Sequence, residues 1–325
     1  MIREDKTKWI VFGSIVLLLC GILFFIIGFW DSSLEEQEGS VSQSELHTIE
    51  YEGKTYRYNN NLTNILFLGI DNDSKMEEYD APRNSGQSDC IMLLTLNKET
   101  KECQILQIPR DTMVDVDLFD MSGNYYNSVN RQIATQFAYG FGGKDSCWIT
   151  QKKVSELLND LQIDAYIGMD MASISMIVDA IGGVSITIPE DYTQIDLAFQ
   201  KGATVVLDGN LAERYVRGRQ TDVMFSNNQR MERQLQFIPA FIDSVKAKVG
   251  ENVNYYEWLY PVVEDYVVTN MSESQMNELS EYQLAESKVQ TLPGEGKMGK
   301  TYEEFHVDLE KLDKMLIEMF YISKE

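Results

Sequence analysis

Five of the chain's ten arginines fall between Arg214 and Arg233, and only Asp222 and Glu232 are acidic inside that window. Guanidinium groups gathered this way suit an anion, because the planar fork binds phosphate or carboxylate through two parallel hydrogen bonds. Arg217 and Arg219 stand two apart at a helix end or loop. Arg230 and Arg233 are three apart and share one face of an expected helix. Spacing alone leaves a second reading open, an exposed helix carrying surface ion pairs.

A second set of charges sits where apolar runs stop. Ile108-Pro109-Arg110-Asp111 closes one run, Asp71 ends another just after Gly69, and Asp89 begins a third. In α/β proteins ligands bind in the crevice beyond the strand ends. A lone Asp there more often bonds the backbone of its own turn. Several acids together with Arg110 favour a ligand. Paired carboxylates beside arginines suit a hard divalent cation bridging a diphosphate. Other chemistries find no footing. His47 and His306, the only histidines, are far apart, which argues against a histidine-based triad. There is no CxxC pair or Cys/His cluster for zinc and no glycine-rich phosphate loop.

These residues need a scaffold, and hydrophobic periodicity supplies one. Ile49–Tyr51 and Tyr56–Tyr58 alternate on either side of Glu52-Gly53, as a hairpin does. Asn64 to Asp71 is a short apolar run of the fully buried strand type. Cys90 to Leu96 and Cys103 to Ile108 flank a polar turn, a hairpin inside the core sheet. Helices are expected around Ile133–Phe137, over Trp148–Leu161, over Ile174–Ile181 before Gly182-Gly183, over Asn210–Tyr215, over Asn228–Val249 and over Leu309–Phe320. Ala165–Met169 and Val184–Ile188 read as further strands. Strands alternate with helices but at least one hairpin lies in the sheet. The fold class is therefore α/β, a single domain with a mixed β-sheet flanked by helices.

The chain has 51 acidic and 28 basic residues, a formal charge of −23, which argues against nucleic acid as a partner. Trp9 to Trp30 is 22 residues without a charge. As a helix it spans roughly 33 Å, one hydrocarbon core. Arg3, Lys6 and Lys8 precede it and acids follow, so the positive-inside tendency places the N-terminus in the cytoplasm and the rest outside a single-pass cell-membrane anchor. The expected organisation is a cytoplasmic tail (1–8), a transmembrane helix (9–30), a polar stalk with the short hairpin (31–61) and a catalytic domain (62–325). Cys90, Cys103 and Cys147, an odd number outside the membrane, do not make a complete disulfide framework.

The segments NILFLGID, QSDCIMLLTLN, ILQIPRD, AIGGVSITIP and YVRGR…NNQRMERQ, in this order behind one membrane helix, resemble the LytR-CpsA-Psr family from about Asn64 to Phe320. Members are membrane-anchored enzymes of Gram-positive envelopes that move anionic glycopolymers from a polyprenyl diphosphate carrier to peptidoglycan. The resemblance implies a hydrophobic slot for the lipid. It makes Asp71 and Asp89 the magnesium-associated acids, and Arg110, Arg217, Arg219 and Arg230 the diphosphate-binding arginines. Gln234 matches the glutamine after them, and Asp111 is expected to be structural. Asp89, Arg110, Arg217 and Arg219 are the expected catalytic set. Two positions depart from the family pattern. Gln87 stands where an arginine is frequent, with Arg83 a candidate replacement. Asn227 stands where an Asp is common, with Asp222 nearby.

Two other functions fit the same residues. One is a hydrolase that cleaves the lipid diphosphate with water as acceptor. The other is a non-catalytic lipid-binding regulator of the transcriptional-attenuator type, although a membrane helix so close to the N-terminus speaks against direct DNA contact.

Overall fold

The computed structural model describes residues 48–72, 76–78, 86–171, 173–218, 226–251, 262, 264–272, 275 and 278–323. The expected membrane helix at 9–30, the stalk at 31–46, Arg83, Arg219 and Asp222 lie outside them. Among the described residues no helix is long and apolar enough to cross a membrane.

The chain opens with the expected hairpin, β1 (Thr48–Tyr51) and β2 (Lys54–Tyr58), turning at Glu52-Gly53. Three strands of the central sheet begin to assemble next: β3 (Leu62–Ile70), β4 (Ser88–Asn97) and β5 (Glu102–Gln107), each antiparallel to the one before. β3 and β4 are apolar at nearly every position because both of their faces are covered. Leu66, Leu68, Ile91 and Leu93 point into one core cluster, and Ile65, Cys90, Met92 and Leu94 into the other.

A ribbon then leaves the sheet, β6 (Met113–Phe119) paired with β7 (Tyr125–Gln132). The sequence reading expected only a helix in this stretch. That helix is a single turn, α1 (Thr135–Ala138). The next helix, α2 (Gly143–Leu157), starts and stops earlier than expected. Its end is set by Asn159 and Asp160, both in the left-handed region at φ 59° and 58°. β8 (Ala165–Asp170) runs parallel to β3. α3 (Ser173–Ile181) is stopped as expected by two glycines, Gly182 and Gly183, at φ 84° and 99°. β9 (Val184–Thr187) and β10 (Thr204–Leu207) form a small antiparallel pair.

α4 (Gly209–Arg217) is capped by Asp208, whose carboxylate accepts from Leu211 N–H at 2.8 Å. α5 (Ser226–Glu251) is the longest described helix. β11 (Val267–Thr269) and β12 (Gln283–Thr291) occupy the two edges of the central sheet, whose order is β11-β8-β3-β4-β5-β12. β13 (Gly294–Met298) and β14 (Glu303–Val307) make another hairpin, followed by α6 (Leu309–Phe320), which has the expected bounds. β15 (Tyr321–Ser323) returns to pair with β2. The N-terminal hairpin is thereby stitched to the last strand. α3, α4 and α5 pack on one side of the sheet, α2 and α6 on the other. The result is the mixed, helix-flanked α/β fold expected from the sequence.

Candidate active site

Neighbouring strand ends bring the acids together. Ile70 sits opposite Ser88, and Asp71 N–H donates to the Gln87 carbonyl at 2.8 Å. Asp71, just past β3, and Asp89, near the start of β4, therefore lie side by side at the same end of two adjacent strands. Asp170 ends β8 opposite Ile70 and is fully buried. It is a third carboxylate at this end of the strands, one that the sequence pattern does not single out.

Asp89 is 8% exposed and lies between two guanidinium groups. Arg110 donates through Nη1 to Oδ1, and Arg230 donates through Nη1 to Oδ2 at 2.6 Å. Each arginine is held by a second, neutral acceptor. Arg110 Nη2 donates to Gln87 Oε1 at 2.6 Å, and Arg230 Nη2 donates to Asn227 Oδ1 at 2.7 Å. The two departures from the family pattern thus serve one purpose here, an amide oxygen aiming a guanidinium at Asp89. Asp71 is paired with Arg217, which also binds Glu213 Oε1 at 2.6 Å one helical turn back. Asp71, Asp89, Arg110, Arg217 and Arg230 thus form two ion-pair groups at one end of the central strands, with Arg217 closing the α4 end.

The surroundings fix these groups. Arg110 follows β5, and its carbonyl accepts from Ala134 N–H at 3.1 Å. The Ala134 carbonyl in turn accepts from Ser88 N–H at 3.1 Å, locking the two strand ends together. Asp111 lies beside the cluster, its Oδ1 3.5 Å from Arg110 Nε. It accepts from Gln132 Nε2 at 2.6 Å, and its backbone carbonyl accepts from Phe305 N–H at 2.8 Å. Arg233 was paired with Arg230 by spacing but does different work. Its Nε donates to the Tyr215 carbonyl at 2.7 Å, Nη2 donates to the Gly218 carbonyl, and the guanidinium lies 5.0 Å from the Tyr192 ring centre. A buried cation on the last carbonyls of α4 satisfies groups the helix leaves open and opposes its negative end. Burial pushes its pKa down to about 10. The surface ion-pair reading fails for Arg230 and Arg233, which are buried, and holds for the exposed Arg214, whose Nη1 pairs with Asp196 at 2.6 Å.

Behind the charges lies an apolar slot, open on one side to solvent. Phe67, Met92, Met169, Ile177, Phe237 and Phe241 are among its walls. Each wall also carries a charged residue close by in sequence. Cys90 lines it next to Asp89, Val216 next to Arg217, Gly69 two residues before Asp71, and Gln234 one turn beyond Arg230. Gln234 is therefore placed in the slot, with its amide donating to the Val216 carbonyl at 3.1 Å rather than to the charged cluster. Gly69 matters for its lack of a side chain, since a Cβ there would come within 2.9 Å of Cys90 Cβ. Burial pushes the Cys90 thiol up to about 12, partly opposed by the charge of Arg230. Cys90, Cys103 and Cys147 are all buried and in no disulfide.

A narrow apolar slot with ion-paired arginines at its end matches an amphiphile with an anionic head. A model of the LytR_cpsA_psr family matches residues 26–320. The chain belongs to that family. Among its relatives, the polyisoprenyl-teichoic acid–peptidoglycan teichoic acid transferase TagU of Enterococcus faecalis is 27% identical over 98% of both chains. The enzyme of the same name from Bacillus cereus strain AH820 is 30% identical over 71% of this chain and 69% of its own. Among solved structures, Bacillus subtilis TagT superimposes with a TM-score of 0.55 at 25% identity, over 80% of this chain and 89% of its own. TagT bound to LIIa-WTA gives a TM-score of 0.57 at 25% identity, over the same shares of the two chains.

Proposed function

We propose that this member of the family is a phosphotransferase that moves an anionic glycopolymer from a polyprenyl diphosphate carrier to peptidoglycan during cell wall assembly. The observation that carries the reading is the charged cluster set on the end of the apolar slot. The slot accommodates the polyprenyl tail, and Arg110, Arg217, Arg219 and Arg230 take the diphosphate. Relatives that are named teichoic acid transferases support the same polymer class and acceptor. Residues 9–30 anchor the chain in the cell membrane with the N-terminus inside, so the slot works beside the leaflet that holds its lipid.

In the reaction a sugar hydroxyl of peptidoglycan attacks the phosphorus that bears the polymer. The new P–O bond forms as the bond to the bridging oxygen breaks, and polyprenyl monophosphate leaves with the electron pair. The hydroxyl proton is lost to a base, a role Asp89 would take as the alternative to holding the cation. Charge accumulates on the phosphoryl oxygens, and fixed guanidinium groups stabilise it.

Asp71 and Asp89 fit Mg2+ by donor chemistry, because this ion needs only one or two carboxylates when phosphate and water oxygens complete its shell. Among the described residues no group of three or more potential ligands makes a dedicated all-protein site. Bound Mg2+ would neutralise charge on the diphosphate oxygens. The present pairs would then exchange, with the acids released toward the cation and the arginines toward the diphosphate. This exchange keeps every charge partnered, which matters most at Asp89, Arg110 and Arg230, whose side chains are little exposed.

The test uses the full-length protein in detergent, a polyprenyl diphosphate-linked polymer, Mg2+ and peptidoglycan. Joined product that disappears in Arg110→Ala and Asp89→Ala supports transfer. Phosphate release without joined product points to the hydrolase. Tight lipid binding with no turnover contradicts both.

A further inference from the structure

Of the large apolar side chains left in solvent, three sit together at the tip of the β6–β7 ribbon: Met121, Tyr125 and Tyr126, between 59% and 68% exposed. Isolated exposed apolar groups are ordinary, but a cluster on a projecting element marks a surface that meets something. The backbone is shaped to present it. This end of β7 has no buried face, so both tyrosine rings stay exposed, and a register shift between Leu118 and Phe119, where Phe119 pairs with Tyr125, leads into the turn. Asp120 fixes the turn by accepting from Ser122 N–H at 2.8 Å and Asn124 N–H at 2.9 Å.

From the tip a track of polar side chains runs back to the active site. Tyr125 Oη lies 3.0 Å from Ser128 Oγ, which donates to Asp117 at 3.0 Å. Asn130 donates to Asp115 at 3.1 Å, and Gln132 donates to Asp111 at 2.6 Å, next to Arg110. Tyr125 to Gln132 covers about 24 Å at strand spacing. The root of the ribbon is bound to both strand ends of the site, through Ala134 to Arg110 and to Ser88.

We propose that this ribbon is the docking surface for the acceptor glycan strand, with sugar rings stacked on Tyr125 and Tyr126 and the polymer lying along β7 toward Arg110. The inference rests on the transferase reading above. The chemistry favours a polysaccharide. Tyrosine rings offer flat apolar faces with a polar edge, and the amides and hydroxyls of β7 match sugar hydroxyls. Asp111, Asp115 and Asp117 already have partners within the protein, so the track is not a cation trap. The few apolar groups are interleaved with amides, unlike a membrane-inserting tip. The donor enters from the slot, and the ribbon leads to the same charges by a separate path, as a second, polymeric substrate requires.

The test is co-sedimentation of the full-length protein in detergent with peptidoglycan sacculi stripped of attached polymer. Tyr125→Ala/Tyr126→Ala is expected to weaken pelleting roughly tenfold or more, since two stacking contacts are lost. Its thermal midpoint should stay within about 2 °C of the wild type, as for surface substitutions. Tyr125→Trp/Tyr126→Trp should restore pelleting. In the transfer assay the double alanine variant should raise KM for peptidoglycan and leave kcat. Equal pelleting of the alanine variant and the wild type would overturn the proposal. So would tyrosine-dependent capture by lipid vesicles, or by free stem peptide, in place of sacculi. Tyrosine-dependent pelleting without any joined product from the wild type would instead refute the transferase reading and leave the glycan surface standing.

Discussion

Asp89→Asn removes one charge from the candidate site and almost no volume. The carboxylate joins Arg110 to Arg230, and these three side chains are 8%, 14% and 5% exposed. Each guanidinium–carboxylate attraction is worth about 4 kcal/mol at ~4 Å and an effective dielectric of about 20. Desolvation already offsets much of that in the wild type. Stranding two buried cations beside a neutral amide costs about 3–5 kcal/mol net. Gln87 and Asn227 still hold one bond on each arginine, which places the loss near the lower end, ~3 kcal/mol. For a domain of this size that lowers the thermal midpoint by roughly 6–12 °C. The loss should be recoverable. Without Asp89 only Asp111, 3.5 Å from Arg110 Nε, still faces the guanidinium pair, so inorganic pyrophosphate should raise the midpoint of the variant more than that of the wild type. Thermal melts with and without pyrophosphate measure both effects. A drop under about 2 °C, or a larger pyrophosphate shift in the wild type, would refute the paired-charge account.

Three further outcomes follow from other parts of the molecule. Ile177→Trp fills the slot without touching the charges, so polyprenyl diphosphate binding should fall by about tenfold or more while pyrophosphate binding holds, as calorimetry would show. Arg233→Met leaves the Tyr215 and Gly218 carbonyls without a buried donor and should destabilise the fold by about 2–4 kcal/mol in urea unfolding. The Cys90 thiol keeps its proton in the folded chain from its ordinary value of 9.0 up to about 12, whereas the unfolded chain loses it. Its stabilising contribution is therefore complete below pH 9.0 and lost as pH rises toward about 12. Cys90→Ala should flatten that alkaline decline in denaturation midpoints.

The central sheet was legible because β3, β4 and β8 are covered on both faces and so read as unbroken apolar runs. α6 was legible because its buried face, Leu312, Leu316 and Phe320, repeats at helical spacing. The β6–β7 ribbon was not. β7 reads YYNSVNRQ, largely exposed on both sides, and without a buried face there is no alternation to see. β13 is exposed at all five positions and hid for the same reason. The charged residues of the site were visible by type, and their convergence was not. Asp71 and Arg217 are 146 positions apart, Asp89 and Arg230 are 141 apart, and only the sheet closes those distances. Arg233 shows the limit of spacing arguments. It shares a helix face with Arg230, yet one bonds a carboxylate and the other two backbone carbonyls. The slot did leave a trace, because Gln234, Phe237, Ile238 and Phe241 follow the i, i+3, i+4, i+7 pattern of one helix face.

The most direct test of the central claim is a crystal structure of the protein with a short-chain polyprenyl diphosphate. The account predicts the chain between Met92, Ile177 and Phe237, and the diphosphate oxygens on Arg110, Arg217 and Arg230, with Asp89 released from at least one arginine. A ligand whose diphosphate lies away from these arginines, or whose hydrocarbon lies outside the slot, would contradict it.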